Sequence, residues 1–464
     1  MLFTSLEFLF LFLPLALGVH YLLPMRFGLR NAWLLLASLA FYAWGEPTFV
    51  LAMLASIAFN YVMALGVEAL RGRRGGGTLF ALAVVGNLSL LGVYKYANFF
   101  TATVRAWFPS WQGVVPQTSF LLPIGISFFT FQALSYVIDV RRGRAAQKNP
   151  LDLALYIALF PQLIAGPIVR YETVADQIRG RRPSWDLFAS GVGRFLVGFN
   201  KKVLIANVMA EAADRMFGAP SPSCAGAWLG AVAYTLQIYY DFSGYSDMAI
   251  GLGRIFGFRF LENFDYPYVS RTVTEFWRRW HISLGSWFRD YVYFPLGGSR
   301  VGRGRLLFNL AVVWFLTGLW HGANWTFILW GCLYGVLIAF EKLSGWARAV
   351  DGHRVLRLLC QPFTLLMVVC GWVLFRSETV AAAGGHLAAM FGIGAPASDD
   401  LALFWWREIA LVLAVAVVGS TPILQRIRSR AAVAAGSVVQ LILFAVSVSC
   451  LVMKAHNPFI YFNF

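Results

Sequence analysis

Long uncharged apolar stretches alternate with short polar ones from one end of the chain to the other. The apolar stretches fall near residues 5–23, 31–44, 48–69, 79–99, 119–139, 187–209, 225–240, 306–320, 322–341, 358–375, 405–424 and 436–453. A bilayer hydrocarbon core about 30 Å thick takes roughly 20 apolar residues in helical form. Lipid offers no hydrogen bonds, so a spanning backbone must be a helix or part of a closed barrel. A barrel would alternate apolar and polar positions in segments of about 10 residues, and the chain shows no such alternation. The pattern predicts an all-α polytopic membrane protein with about 11–12 tilted transmembrane helices, two of them short or tilted. The first stretch, MLFTSLEFLFLFLPLALGVHYLLP, lacks a basic leading region and a small-residue cleavage site, which predicts a retained helix rather than a removed signal peptide.

Two regions depart from simple crossing. Segment 151–169 is apolar, yet strongly basic loops flank it at 141–148 and 170–182, and Pro161 with the Gly166-Pro167 pair breaks helices. A re-entrant or bent segment fits both facts; a proline-kinked span is the alternative. The second region is a cytoplasmic-side insertion at 258–305. Treated as one helix, it places Phe276, Trp277, Trp280, Leu284, Trp287, Phe288 and Tyr291 within ~120° of arc. Arg278, Gly285 and Arg289 lie opposite, with His281 at the margin. Such a helix suits the membrane interface, or equally the protein interior with its arginines facing a wet cavity. No internal repeat, long linker or soluble domain interrupts the chain, so residues 1–464 read as a single membrane domain.

Composition agrees with this reading. Charged residues make up 13% of the 464 positions, against about 25% in soluble domains. The net charge of +16 raises the question of nucleic acid. However, Arg and Lys cluster between apolar segments, at 71–74, 141–148, 170–182, 300–305, 348–357 and 426–430, as the positive-inside rule expects of cytoplasmic loops. Loops 103–118, 211–225 and 377–404 are poor in them, and the last two hold Glu211, Asp214, Asp399 and Asp400. The charge therefore points to a lipid bilayer and not to nucleic acid. The five cysteines (Cys224, Cys332, Cys360, Cys370 and Cys450) have no C-x-x-C spacing and read as small core hydrophobes.

Chemistry concentrates in Leu319-Trp320-His321-Gly322-Ala323-Asn324-Trp325. Residues 306–340 contain no Asp, Glu, Lys or Arg, so His321 is the readily titratable group of a long apolar stretch. An ionisable side chain at membrane depth is costly and marks a functional candidate. Burial there favours the neutral ring, which accepts a proton. The competing role is a structural histidine bonded across helices. His281 is a second candidate, with interfacial packing as its alternative. A metal centre is disfavoured, because there is no H-E-x-x-H and no third ligand nearby. Ser243, Asp241 and His321 suggest a triad, but the G-x-S-x-G elbow is missing. Asp241 reads better as the partner of a buried Arg or of a histidine's second nitrogen.

Several segments together resemble the membrane-bound O-acyltransferase family, in the bacterial branch that holds the alginate O-acetyltransferase membrane subunits. They are SFFTFQALSYVIDVRRG (127–143), FPQLIAGPIVRY (160–171), YYDFSGYSDMAIGLGRIFGF (239–258), ENFDYPY (262–268), EFWRRWHISLGSWFRDYVYFPLGGSR (275–300), WHGANWTFILWG (320–331) and PFIYFNF (458–464). The resemblance implies a ring of helices around a central tunnel, with His321 catalytic and His281 as the second histidine. It implies no bound cofactor, and acetyl-CoA or another acyl thioester as the cytoplasmic donor. It also implies extracytoplasmic partner proteins that acetylate a polysaccharide, with alginate favoured over cellulose, peptidoglycan or D-alanylated teichoic acid, and a place in the bacterial inner membrane. Asn324, Arg278, Arg289, Asp241 and Trp320 are candidates for holding donor or substrate, and Arg279 and Arg300 add to the basic landing surface. Outside this class, Asp241, Asp247 and His321 with the re-entrant segment suggest a proton-coupled transporter, and a purely structural scaffold would leave His321 dispensable.

Overall fold

A computed structural model describes residues 1–24, 26–423 and 430–453. The C-terminal stretch 458–464 and most of the basic loop 426–430 lie outside the described residues. Among the described residues every regular element is helical, as lipid demands of a spanning chain. Helices Phe49–Ala69, Gly76–Trp107, Trp325–Ser344, Val355–Arg376 and Gly436–Met453 are each long and apolar enough to cross a membrane. Asp400–Glu408 and Ala410–Gly419 meet at 58° and make a sixth span if they are one broken crossing. Other apolar stretches fold into helices that are shorter, such as the 16-residue Ile126–Arg141, or that carry buried carboxylates, such as Cys224–Ile255 with Asp241 and Asp247.

The described chain groups into two units, one of Met1–Val192 with Met248–Leu261, the other of Gly193–Asp247 with Glu262–Phe464. The first unit holds the unusual segment 151–169. Asn149 caps a helix over Pro150–Ala158 by accepting from Leu151 N. The chain leaves that helix at Leu159, whose ψ is 112°, and makes one further turn over Phe160–Leu163. Pro161 sits in the first turn of this short helix, where its missing N–H costs nothing. Residues 164–170 are not helical, and Tyr171–Gly180 is the next helix.

This broken backbone is buried from Leu153 to Val169, so the groups it frees need partners inside the protein. Side chains supply them. Ser38 Oγ accepts from Phe160 N at 3.1 Å, Gln162 Nε2 donates to Tyr156 O at 2.5 Å, and Tyr156 OH donates to Val169 O at 3.0 Å. Gly166 is required where the chain folds back, since a Cβ there would lie 2.6 Å from Gln162 Cα. Helices of nine and four residues reach about 14 and 6 Å at 1.5 Å per residue, far short of the hydrocarbon core.

The second unit holds most of helix α1, Cys224–Ile255, which is 32 residues long. Helix Trp185–Asn200 runs into a π-helical turn over Lys201–Ala206. That turn presents two consecutive lysines to two carboxylates of α1: Lys201 Nζ lies 2.7 Å from Asp247 and Lys202 Nζ 2.8 Å from Asp241. Arg194 also holds Asp247, at 2.6 Å. Lys202 and Asp241 are both buried, and removing either would strand the other's charge.

The geometry of segment 151–169 sets a labelling test. Single cysteines placed at 148 and 176 should react with an impermeant maleimide from the same side of the membrane, above the background of the native cysteines. Opposite-side reaction would restore a full crossing.

Candidate functional site

The aromatic insertion is not one helix. Helix α2 covers Val273–Arg279 and helix α3 covers Ile282–Phe288, and between them Trp280 is extended and His281 is left-handed at φ 47°, ψ 54°. A non-glycine residue in that region costs on the order of 1–3 kcal/mol and persists only where its surroundings impose it. Here a neighbouring strand of chain does so. Arg279 O accepts from Asp265 N and Asn263 O accepts from Ile282 N, both at 3.0 Å, so the 263–265 segment clamps the backbone on either side of His281.

The start of α2 is equally well held. Thr272 Oγ1 accepts from Glu275 N at 3.0 Å, and Glu275 reaches back to Arg271 N at 2.9 Å, a variant of the T-x-x-E capping box. Two further N–H groups of the first turn, those of Val273 and Thr274, donate to Glu341 at 2.7 and 2.8 Å. Glu341 is buried near the end of helix α5 (Trp325–Ser344). A carboxylate at a helix N-terminus is favourable on both charge and hydrogen-bond grounds.

Breaking the helix changes where its aromatic side points. Phe276, Trp280, Leu284, Trp287 and Phe288 are all buried in protein. Trp280 packs on Tyr239, Phe264, Tyr268 and Trp372. Of the two placements open to the sequence, the protein interior is the one adopted.

His281 is 1% exposed. Its ring stands edge-on to Phe242 at 4.6 Å, and its Nδ1 lies 3.1 Å from Asn263 Oδ1. Burial pushes the imidazolium pKa down to about 3, so the ring is neutral across the physiological range.

His321 is the last residue of helix α4, Arg303–His321, and is 5% exposed. Its ring is edge-on to Trp330 of α5 at 5.0 Å and to Phe375 of helix α6 (Arg354–Arg376) at 5.2 Å. Glycines make that packing possible. A Cβ on Gly318 would lie 2.4 Å from Phe327 O, and one on Gly331 would lie 2.3 Å from Trp314 O, so α4 and α5 touch backbone to backbone, as small residues allow in membrane helix pairs. A Cβ on Gly322 would meet the Phe327 ring at 2.2 Å. The space beside Gly322 is thus taken by the Phe327 ring of the neighbouring helix.

The two histidines, forty positions apart in sequence, share one neighbour. The Trp320 ring lies 5.9 Å from that of His281 and 5.0 Å from that of His321. Two buried imidazoles packed on one indole, that of His281 neutral, stand in an aromatic core; imidazoles so placed can relay protons or accept an acyl group where little water competes.

The other residues singled out by sequence divide. Trp320 belongs to the site. Asn324 caps α5, accepting from Thr326 N at 3.2 Å, and donates to Glu378 O at 2.9 Å. Asp241 pairs with a lysine, Lys202. Arg289 is exposed and bonded to its neighbour Asp290. Arg279 joins Glu275 and Asp265. Arg278 and Arg300 are exposed. Among the described residues no cluster of three or more His, Cys, Asp or Glu has the arrangement of a metal site. Sequence reasoning missed Asn263, Ser246, Ser283 and Glu341. Glu341 follows directly on the charge-free run 306–340, and that position was its only signal.

The family model of MBOAT, membrane-bound O-acyltransferase family, matches residues 110–377. A probable alginate O-acetylase of Azotobacter vinelandii is 48% identical over 406 residues, 86% of this chain and 80% of that protein. A protein of the same description from Pseudomonas aeruginosa is 48% identical over 398 residues, covering 85% of this chain and 75% of its own length. A peptidoglycan O-acetyltransferase of Helicobacter pylori is 34% identical over 425 residues, 85% of this chain and 80% of that protein.

The Glu341 anchor yields a stability prediction. Glu341→Ala leaves two N–H groups unpaired, at about 1–3 kcal/mol for each buried group. Detergent-solubilised protein should therefore unfold at a clearly lower temperature, and Glu341→Gln, which keeps one acceptor oxygen, should fall between. Wild-type thermal stability in the alanine variant would show that the anchor carries no weight.

Proposed function

The chain belongs to the membrane-bound O-acyltransferase family and is an O-acyltransferase; on that premise we propose that it takes an acetyl group from a cytoplasmic thioester and hands it across the membrane for O-acetylation of an exported polysaccharide, alginate first. The observation that carries this reading is the pair of buried imidazoles packed on Trp320. Acyl transfer needs a base in a place where water cannot intercept the acyl group.

In the proposed reaction an accepting hydroxyl gives its proton to the His321 ring as its oxygen bonds to the acyl carbon. The carbon–sulfur bond then breaks and the proton passes to the departing sulfur, leaving an ester and a free thiol. A variant of this route has His321 take the acetyl group first and release it to the hydroxyl afterwards. The donor, acetyl-CoA or an acyl carrier, is acidic, and the exposed Arg278 and Arg300 offer it a basic approach. Net polymer modification calls on extracytoplasmic acetylating proteins, with this subunit in the bacterial inner membrane.

Alginate is favoured because the relatives near 48% identity are described as probable alginate O-acetylases, whereas the peptidoglycan O-acetyltransferase stands at 34%. Cellulose, peptidoglycan and teichoic acid D-alanylation are the other acceptors within the same chemistry. A proton-coupled transporter draws no support from Asp241 and Asp247, which are already held by Lys202, Lys201 and Arg194.

His321→Ala should lower the O-acetyl ester content of the secreted polymer at least about a hundredfold, the scale of a lost general base, with the protein still present in the membrane at normal abundance. Unchanged acetylation in that strain would end the assignment. Identification of the under-acetylated polymer by its sugar composition decides among alginate, cellulose and peptidoglycan.

A further inference from the structure

His281 carries a second layer of information in the groups around its Nδ1. Asn263 Oδ1 lies 3.1 Å from that nitrogen, 3.2 Å from Ser283 N and 2.9 Å from Ser283 Oγ, while Asn263 Nδ2 donates to Ser246 Oγ at 3.1 Å. All four residues are buried. The orientation of an amide is ordinarily an inference from its partners, and here the partners decide it. A backbone N–H can only donate, so the Asn263 atom facing Ser283 N must be the carbonyl oxygen. The same oxygen faces His281 Nδ1. If Nδ1 carried a lone pair, the two acceptors would oppose each other at 3.1 Å. The alternative, Ser283 Oγ donating to a bare Nδ1 at 3.4 Å, keeps that opposition and replaces a shorter bond with a longer one.

We propose that Asn263 is the positioning residue of His281: its carbonyl holds the ring as the Nδ1–H tautomer, so that the Nε2 lone pair is the one offered to the reaction. Nε2 is buried and makes no hydrogen bond within the protein, which is the condition of a base waiting for a donor from outside the chain. The ring cannot turn over to present its other nitrogen without breaking the Asn263 bond, and Asn263 cannot turn without setting its amide N–H against Ser283 N. The backbone bonds either side of His281 fix the remaining freedom. His281 is thus aimed as well as buried, and a hydroxyl or thiol of the reactants meets it as a hydrogen-bond acceptor. The catalytic consequence rests on the acyltransferase reading; the tautomer does not.

The test reads the tautomer directly. The full chain, labelled with 15N-histidine and reconstituted in lipid nanodiscs, gives ring-nitrogen signals, and the pair belonging to His281 is identified as the one missing from His281→Gln. A protonated Nδ1 with a bare Nε2 is expected at neutral pH. A proton on Nε2 instead, or on both nitrogens, would overturn the proposal. Asn263→Leu should lose the Nδ1–H signature and lower polymer acetylation at least tenfold, while Asn263→Asp, which keeps an oxygen facing Nδ1, should retain the proton there. Ser283→Ala leaves Asn263 in place and should keep the signature. Its loss in that variant would move the role to Ser283 and refute the assignment. Because the spectrum needs no turnover, an intact Nδ1–H ring in a wild-type protein that transfers no acetyl group would support this inference while ending the functional one.

Discussion

A helix that stops inside an apolar interior frees backbone donors and acceptors that water will not reach, and each must find a partner in the protein. Two such interruptions organise this molecule. At Leu159–Arg170 the freed groups go to Ser38, Tyr156 and Gln162. At Trp280–His281 they go to the 263–265 segment and to Asn263's side chain. In both places polar side chains that would be expensive alone are used as substitutes for helix hydrogen bonds. The second interruption also swings an imidazole onto Trp320, so the residues that satisfy the backbone also place the ring.

What could be read from the sequence follows from the range of each signal. Apolar stretches long enough to span are a local pattern, and they located the helices. Two prolines, a glycine and a pair of basic loops are also local, and they marked segment 151–169 as bent. His321 stood out because no charged residue shares its stretch. The wheel drawn over 276–291 selected mostly buried residues while missing the break, since the groups that hold the break belong to residues 263 and 265, outside the window. Nor does spacing reveal that Lys202 is the partner of Asp241, because the π turn at 201–206 shifts the register between the two helices.

Glycine does at α4 and α5 what aromatic bulk does elsewhere. Gly318 and Gly331 let the two backbones touch, and the large rings of Trp330 and Phe375 then close over His321. Alternating the smallest and largest side chains yields a dense wall around a polar ring. The same density leaves little slack: added methyl groups at these glycines have nowhere to go but into a neighbouring main chain.

Helix α5 touches both histidines by different routes. Trp330, in its first half, stands against His321, and Glu341, near its other end, grips the start of α2, whose last residue lies two positions before His281. The helix is 20 residues long, close to the thickness of the hydrocarbon core. It is a strut to which both rings are tied. The two rings therefore share one mechanical support, and a displacement of that single helix would be felt at both together.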